Sequence, residues 1–317
     1  MKILITGSSS FTGCWFACAL ADAGHEVVAT FTQPSAEAYG EPTELRRQRV
    51  DFVLERCQPI FGTSFGDDTF LQTIQKHGPF DTLCHHGADV RDYKSDNFDV
   101  QRALACNTHR IREVLETFKQ AGGQSVVLTG SVFEGGEGAG SDGLPDFSPY
   151  GLSKRLTAET FRYYCRRAEL PLGKFVIPNP FGPYEEPRFT AYLMRTWLKG
   201  ETATVKTPDY VRDNIHVELL AACYHRFVEA CPKQAGWHQT NPSGYIESQG
   251  RFAERVAQEM RPRLNLPCDL ELAEQAEFSE PLIRVNINPV GICNYSLSEG
   301  TGWSAVAQFY LRGASAF

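Results

Sequence analysis

The sequence predicts a doubly wound parallel α/β sheet joined to a smaller mixed α/β lobe. Three observations carry that expectation. The chain opens on a short apolar strand that runs into a glycine- and serine-rich turn, Thr6-Gly7-Ser8-Ser9-Ser10-Phe11-Thr12-Gly13. A helix and a second apolar strand follow within about thirty residues, the unit that builds a parallel sheet through right-handed crossovers. The alternation of apolar strands with helical periodicity then continues to Ile177 and changes texture after Pro178.

Lys2 to Ile5 reads as the first strand, Phe11 to Ala23 as the helix stopped by Gly24, and Glu26 to Phe31 as the second strand. Asp81 to His85 and Ser125 to Leu128 are further strands, separated by one helix over Val100 to Gln120. Gly135 to Gly143 (GGEGAGSDG) reads as a flexible loop, Tyr150 to Ala168 as a helix and Lys174 to Ile177 as a strand. The stretch NPFGPYEEPRF, 179–189, is too rich in proline and glycine for a central strand. Thr190 to Lys199 and Gly250 to Met260 are helices among Pro-rich connections. The expected division is a dinucleotide-type sheet domain over 1–177 and about 211–240, with a substrate-binding lobe over 178–210 and 241–317. That lobe is expected over the carboxyl ends of the strands, where open α/β sheets bind ligands.

With 317 residues, 42% hydrophobic and 22% charged, the composition is that of a globular protein with a large core. A net charge of −7 argues against a nucleic-acid surface, which needs clustered Lys and Arg. The ten cysteines include no C-x-x-C pair, so metal-ligand spacing is absent and no metal is expected. Several of them lie in apolar runs and read as reduced thiols acting as small core hydrophobes. No signal-like apolar segment opens the chain and no run of 18 apolar residues occurs. The expectation is a cytoplasmic protein that neither spans nor lies on a membrane.

Chemistry concentrates in three places. In a dinucleotide turn the first glycine allows the tight bend, the second the close approach of the pyrophosphate, and the third the packing of helix on strand. Gly7 and Gly13 keep the outer two roles, whereas Ser10 brings a Cβ to the middle one, with a hydroxyl able to meet a phosphate oxygen. The second place is Tyr150-Gly151-Leu152-Ser153-Lys154, where Tyr and Lys share one helix face at i and i+4. A phenol with a pKa near 10 is a poor base, and an adjacent ammonium favours its phenolate. The pair suits proton transfer at an alcohol or sugar hydroxyl during hydride transfer. The third is SVVLTGSVF, 125–133, a strand ending in hydroxyl residues that could hold the same oxygen.

Together these residues resemble the extended short-chain dehydrogenase/reductases, specifically their sugar-nucleotide epimerases, dehydratases and reductases. The resemblance covers most of the chain. The family's TGxxGFxG appears as TGSSSFTG with Phe11 retained, its HLAA segment as His85-His86-Gly87-Ala88, and its supporting helix asparagine as Asn107. Its YGxSK matches Tyr150 to Lys154, its N-x-[FY]-G-P matches Asn179 to Pro183, and its V-R-D-[FY]-I-H-V matches Val211 to Val217. Gly302-Trp303 is similar to the family's terminal LGW. The resemblance implies a Rossmann-type fold, an NAD or NADP cofactor held by Gly7, Ser10, Phe11, Gly13, His86, Gly87, Ala88, Asn107 and Lys154, and a homodimer. It also implies Tyr150 as general acid/base, Lys154 as its tuning cation, and Asn179 and Arg212 as ligands of sugar and diphosphate, a fitting task for a guanidinium. Alignment of Val132-Phe133 with the family's Val-Tyr puts Thr129 at the catalytic hydroxyl, with Ser131 as the fallback.

Three departures narrow the activity. Gly130-Ser131 stand where dehydratases carry Asp-Glu, so dehydration lacks its acid and base. The second strand ends in Phe31-Thr32, where an NAD-preferring member would present an acid to the ribose. Arg46 and Arg47 lie farther along, which leans the cofactor toward NADP. A weakened turn and a missing ribose acid favour a releasable cofactor, hence 4-keto reduction, while family frequency favours epimerisation. The expected function is therefore hydride transfer at a carbinol or ketone of a nucleotide-linked sugar. The alternatives are a dinucleotide-sensing regulator without chemistry, or a reductase of a non-sugar carbonyl. His216 is expected to face the core or to be hydrogen-bonded on its strand, and FRYYCRR, 161–167, to serve as core or dimer face.

Overall fold

The computed structural model describes residues 1–40, 44–141, 143–290 and 298–314. They group into two compact units: residues 1–137, 145–177 and 221–241 in the first, and residues 138–144, 178–220 and 242–317 in the second.

The first unit is built on seven parallel strands. Five are β1 (Lys2–Thr6), β2 (Glu26–Thr30), β3 (Gln58–Ile60), β4 (Thr82–His85) and β5 (Ser125–Ser131). The sheet runs Trp237–Thr240, Leu172–Ile177, β5, β4, β1, β2, β3. Between them lie helices α1 (Phe11–Asp22), α2 (Glu44–Leu54), α3 (Asp68–His77), α4 (Val100–Asn107), α5 (Ile111–Gln120) and α6 (Pro149–Arg167). The strands read as nearly continuous apolar runs because helices cover both faces of a parallel sheet. On one face Phe70 and Ile74 of α3, Val114 and Phe118 of α5 and Phe161 of α6 pack with Leu4, Leu83, Val126, Leu128 and Leu172. On the other, Phe16 stacks on Tyr224 at 4.0 Å and meets Phe175 edge-on at 5.8 Å. Each such buried side chain contributes about 1.5–3 kcal/mol.

Strand order reverses at β1. β2 and β3 extend to one side and β4 and β5 to the other, so the turn after β1 sits at the topological switch point. The doubly wound expectation is met.

Local differences from the sequence reading have physical causes. The helix expected over Val100 to Gln120 is two helices, broken at Arg110 in the left-handed region (φ 47°). Arg110 holds that turn with Asp68 at 2.6 Å and Glu113 at 2.7 Å. Apolar periodicity continues across the break, so the pattern alone hides it. The strand Ser125–Ser131 runs three residues beyond the expected Leu128, because Thr129, Gly130 and Ser131 still pair with Phe175, Val176 and Ile177. Within the loop expected at Gly135 to Gly143, Ala139–Gly140 pairs with the strand Ile283–Val285; Asp142 lies outside the described residues. Val211–His216, expected with the first domain, groups instead with the second unit. There it pairs with Tyr245–Ser248, Ile283–Val285 and Asn179–Phe181. The last is a three-residue strand through Pro180 that pairs on one side only, in keeping with a stretch too rich in proline for a central strand.

The second unit has its own core, in which Phe181, Trp197, Phe252, Met260 and Trp303 are buried. Nine cysteines are free thiols, eight of them buried and Cys106 exposed, and Cys293 lies outside the described residues. Burial pushes the Cys57 and Cys84 thiols up to about 12, which makes them inert packing groups.

One close approach places α6. Ser148 caps the helix by accepting from Gly151 N at 3.2 Å, with Pro149 in its first turn. A Cβ on Gly151 would stand 2.1 Å from the Phe133 carbonyl oxygen. Gly151→Ala is therefore expected to cost about 1–3 kcal/mol and lower the thermal midpoint by several degrees. Gly143→Ala, where a Cβ meets nothing within 4 Å, should leave it within about one degree. Equal midpoints by calorimetry would refute the account of the α6 approach.

Candidate functional site

Most residues singled out from the sequence meet at the carboxyl ends of β1, β4 and β5 and the start of α6. Gly7 follows β1 with φ 78°, and a Cβ there would stand 2.6 Å from Gly87 N. A Cβ on Gly13 would stand 2.2 Å from the Gly7 carbonyl oxygen. The two outer glycines are thus required by backbone contact, independently of any ligand.

Ser10 behaves differently from the expectation that its hydroxyl meets a phosphate. It donates to Gly7 O at 2.8 Å and accepts from Gly13 N at 3.1 Å, capping α1. Its Oγ also lies 3.0 Å from His86 Nε2. A hydroxyl has one hydrogen, already given to Gly7, so His86 must donate through Nε2–H. Nδ1 of that tautomer is an acceptor, and Thr129 Oγ1, 3.0 Å away, donates to it. Ser10 is turned into the protein, where its hydroxyl leaves the outer side of the turn clear.

The neighbouring His85 is fixed in the same way. It lies 3.0 Å from Thr6 Oγ1 and 3.1 Å from the Asn107 carbonyl, and Thr6 Oγ1 accepts from Gly87 N at 2.9 Å. Burial, reinforced by the Lys154 charge, pushes both histidines down to about 3. Both rings are neutral struts. Asn107 accepts from Asp89 N at 2.8 Å, next to Ala88, and donates to Thr157 of α6 at 3.2 Å. It thereby ties the end of α4 to α6.

Lys154 is buried and donates to the Thr129 carbonyl at 2.6 Å. Burial pushes its ammonium down to about 8, with the Glu134 carboxylate opposing and the Lys174 charge adding to the push. Tyr150 lies one helical turn earlier on α6, half-buried, with its ring edge-on to Tyr93 at 5.4 Å and Phe98 at 6.0 Å. Thr129 is 2% exposed with its hydroxyl hydrogen committed to His86, whereas Ser131, two residues on, is half-buried at the strand end. The two hydroxyl candidates therefore have different freedom to donate.

The N–H groups of Phe11 and Thr12 lie in the first turn of α1, where no helical carbonyl reaches them. Ser8 Oγ is buried there without a hydrogen-bond partner. With the glycine contacts and the inward Ser10, the turn fits a pyrophosphate.

Asn179 and Arg212 belong to the second unit. Asn179 opens a short strand paired to Val211–His216. The Arg212 guanidinium donates to Glu280 at 2.8 Å, to the carbonyls of Val211, Pro281 and Leu282, and lies 4.6 Å over the Tyr210 ring. His216 is half-buried, and burial holds it down to about 4. Glu134 and Lys174 lie outside the motifs of the sequence. A lysine inside the apolar run LGKFVI is itself a signal, since a buried charge needs a partner.

The family model described as NAD dependent epimerase/dehydratase family matches residues 3–241. No curated relative matches the sequence. Among solved structures, a UDP-glucose-4-epimerase from Stenotrophomonas maltophila with bound NAD and formylated UDP-arabinopyranose is similar at 16% identity, TM-score 0.75, over 100% of both chains. A Bacillus cereus UDP-glucuronic acid 4-epimerase, a tyrosine-to-phenylalanine mutant in complex with NAD and a fluorinated UDP-sugar, is similar at 18% identity and TM-score 0.72, over 98% of this chain and 99% of that one. A Thermotoga maritima UDP-glucose 4-epimerase with UDP-glucose has 15% identity and TM-score 0.72, over 99% of each chain.

The histidine struts predict a pH dependence. Because the folded His86 pKa is depressed from 6.5 to about 3, the unfolded chain binds more protons below pH 6.5. Stability is therefore lost as pH falls from about 6.5 toward 3. His86→Leu should flatten that decline by up to about 1.4 kcal/mol per pH unit, measured by urea unfolding between pH 6.5 and 5. An unchanged slope would show that the ring protonates freely.

Proposed function

The chain belongs to the NAD dependent epimerase/dehydratase family, and we propose that it transfers hydride at a carbinol or ketone carbon of a nucleotide-linked sugar. Of the two outcomes left open by the sequence, 4-epimerisation is favoured over 4-keto reduction by the solved structures it is similar to. The observation that carries the reading is the placement of Tyr150 and Lys154 on α6, with the Lys154 ammonium on the Thr129 carbonyl at the end of β5. A sensor without chemistry would have no use for that pair. Dehydration is disfavoured because Gly130-Ser131 supply no carboxylate.

A nicotinamide dinucleotide, when bound, supplies the carbon that accepts hydride from the sugar. The turn from Gly7 to Gly13 would hold its pyrophosphate, with Phe11, Gly87 and Ala88 beside it. Tyr150 moves the hydroxyl proton of the reacting sugar carbon, taking it during oxidation and returning it on reduction. Lys154 lies one turn away and favours the phenolate by its charge. Ser131 donates to the reacting oxygen and orients it, a role given to it over Thr129 because the Thr129 hydrogen is held by His86. Asn179 and Arg212 are proposed to hold sugar and diphosphate. For Arg212 this means exchanging Glu280 for a phosphate oxygen.

NADP is the proposed form of the cofactor. No carboxylate stands at Phe31-Thr32, Tyr39 OH caps that strand end through Gln33 N at 3.1 Å, and the Arg46 guanidinium lies 5.6 Å from the Tyr39 ring. A homodimer in the cytoplasm is proposed as well, with the exposed Tyr163 face of α6 as a candidate contact. Among the described residues no helix is long and apolar enough to cross a membrane.

Two outcomes are expected. In a panel of nucleotide sugars, Tyr150→Phe should lower kcat/KM at least about 100-fold while fluorescence titration gives an unchanged dinucleotide affinity. A mutant equal to the parent would end the acid/base assignment. Arg46→Ala should weaken NADPH at least about fivefold, as expected from loss of a charge-assisted contact, and leave NADH unaffected. Equal loss for both would remove the case for a 2′-phosphate site.

A further inference from the structure

Gly130 leaves a space on the α6 side of β5, and that space is filled by charge. A Cβ at this position would stand 2.5 Å from Lys174 Cε and 2.9 Å from Glu134 Oε1. Lys174 comes from Leu172–Ile177 and is 4% exposed, and Glu134 is fully buried. The Lys174 ammonium donates to Glu134 and, at 2.7 Å, to Glu137. Glu134 Oε1 accepts from Ser131 N at 2.7 Å, anchoring the strand end that carries both hydroxyl candidates. Glu137 accepts from Gln239 at 2.7 Å and Asn241 at 2.8 Å. Each charged group in the cluster is thus partnered.

The arrangement balances two ammonium groups, Lys154 and Lys174, against two carboxylates, Glu134 and Glu137. Such buried pairs add little to stability compared with apolar residues of the same volume, so the fold alone gives no reason for one here. The charges that act on Lys154 are Glu134 and Lys174, and the nearby His85 and His86 are held neutral. Arg155, next on α6, is paired with Asp146 at 2.7 Å.

We propose that Glu134 is a positioning residue for the Tyr150–Lys154 pair: seated in the space left by Gly130 and held there by Lys174, its carboxylate keeps Lys154 an ammonium and fixes the strand end from Thr129 to Ser131. The proposal rests on the role given to Tyr150 and Lys154 above. A fully buried lysine without a facing carboxylate would shed its proton near neutrality, and the phenol beside it would lose the charge that activates it. Burial pushes the Glu134 carboxyl up, and both ammonium groups oppose that push; Lys174 aims the carboxylate by its hydrogen bond while its own charge acts against Lys154.

The test uses the ligand-free protein first. In Glu134→Gln the acceptor for Ser131 N survives, while the charge and the acceptor for Lys174 are lost. Carbon-13 NMR titration of the lysine side chains, with the Lys154 signal identified by its loss in Lys154→Arg, reads the midpoint directly. The parent should titrate near 8, and Glu134→Gln should titrate about one pH unit lower. Glu134→Gln/Lys174→Met removes both members of the pair and should return the midpoint to within about 0.3 of the parent, a rescue that a merely structural role would not produce. The alkaline limb of the kcat–pH profile should move down and back in the same order. An unmoved midpoint in Glu134→Gln, or no return in the double variant, overturns the proposal. If Glu134→Gln does not fold, Lys174→Met carries the test with the opposite sign, a raised midpoint, and a midpoint unchanged or lowered overturns it. Midpoints that move as expected in a protein that turns over no nucleotide sugar would count against the enzymatic reading and leave the ion pair standing.

Discussion

The approach of α6 to the end of β5 is the constraint on which the rest of the first unit's site depends. A side chain at residue 151 would collide with the Phe133 carbonyl, so only glycine lets the helix start where it does. That start brings Lys154 within hydrogen-bond reach of Thr129 O and sets Tyr150 one turn away. The cap at Ser148 and the tie from Asn107 to Thr157 hold the helix in that position from either side. The placement of Tyr150 and Lys154 at the strand end follows from how closely two backbones can approach.

A second theme is the density of satisfied polar groups behind the strand ends. Thr6, His85, Gly87 and Asn107 form one chain of hydrogen bonds, and Thr129, His86, Ser10 and Gly7 form another. Each runs from the turn after β1 across to β4, and the second continues to β5. Because the imidazoles are neutral, each presents one donor and one acceptor, and the direction of every bond follows. Partly satisfied networks of this kind are costly and fully satisfied ones rigidify. The serine in the middle of the turn is best understood as one end of such a chain. Its departure from the glycine pattern and the histidine at residue 86 belong together.

Much of this was legible in the sequence. The strand–turn–helix opening, the helix beginning at Tyr150 and the parallel alternation all rest on local signals: apolar runs of strand length, glycines at turns, hydroxyl caps. Tyr150, Lys154, Gly7 and Gly13 could be named because their spacing has a chemical meaning. What escaped depends on distant contacts. Arg110 breaks a helix through a partner on α3, and Val211–His216 joins a different unit through strands far along the chain. The tautomer of the His86 ring is set by a hydroxyl 76 residues away. Glu134 and Lys174 were visible as charges in apolar surroundings, but their meeting over a glycine is a matter of register between two strands.

That register also bears on how the activity of this scaffold could change. Installing an aspartate at residue 130 would add a third carboxylate beside Glu134 and Glu137 and thrust its side chain into the volume taken by Lys174. A route toward water elimination would first have to clear the lysine and redistribute its counterions. The glycine thus acts as a lock between neighbouring chemistries, one that no isolated replacement opens.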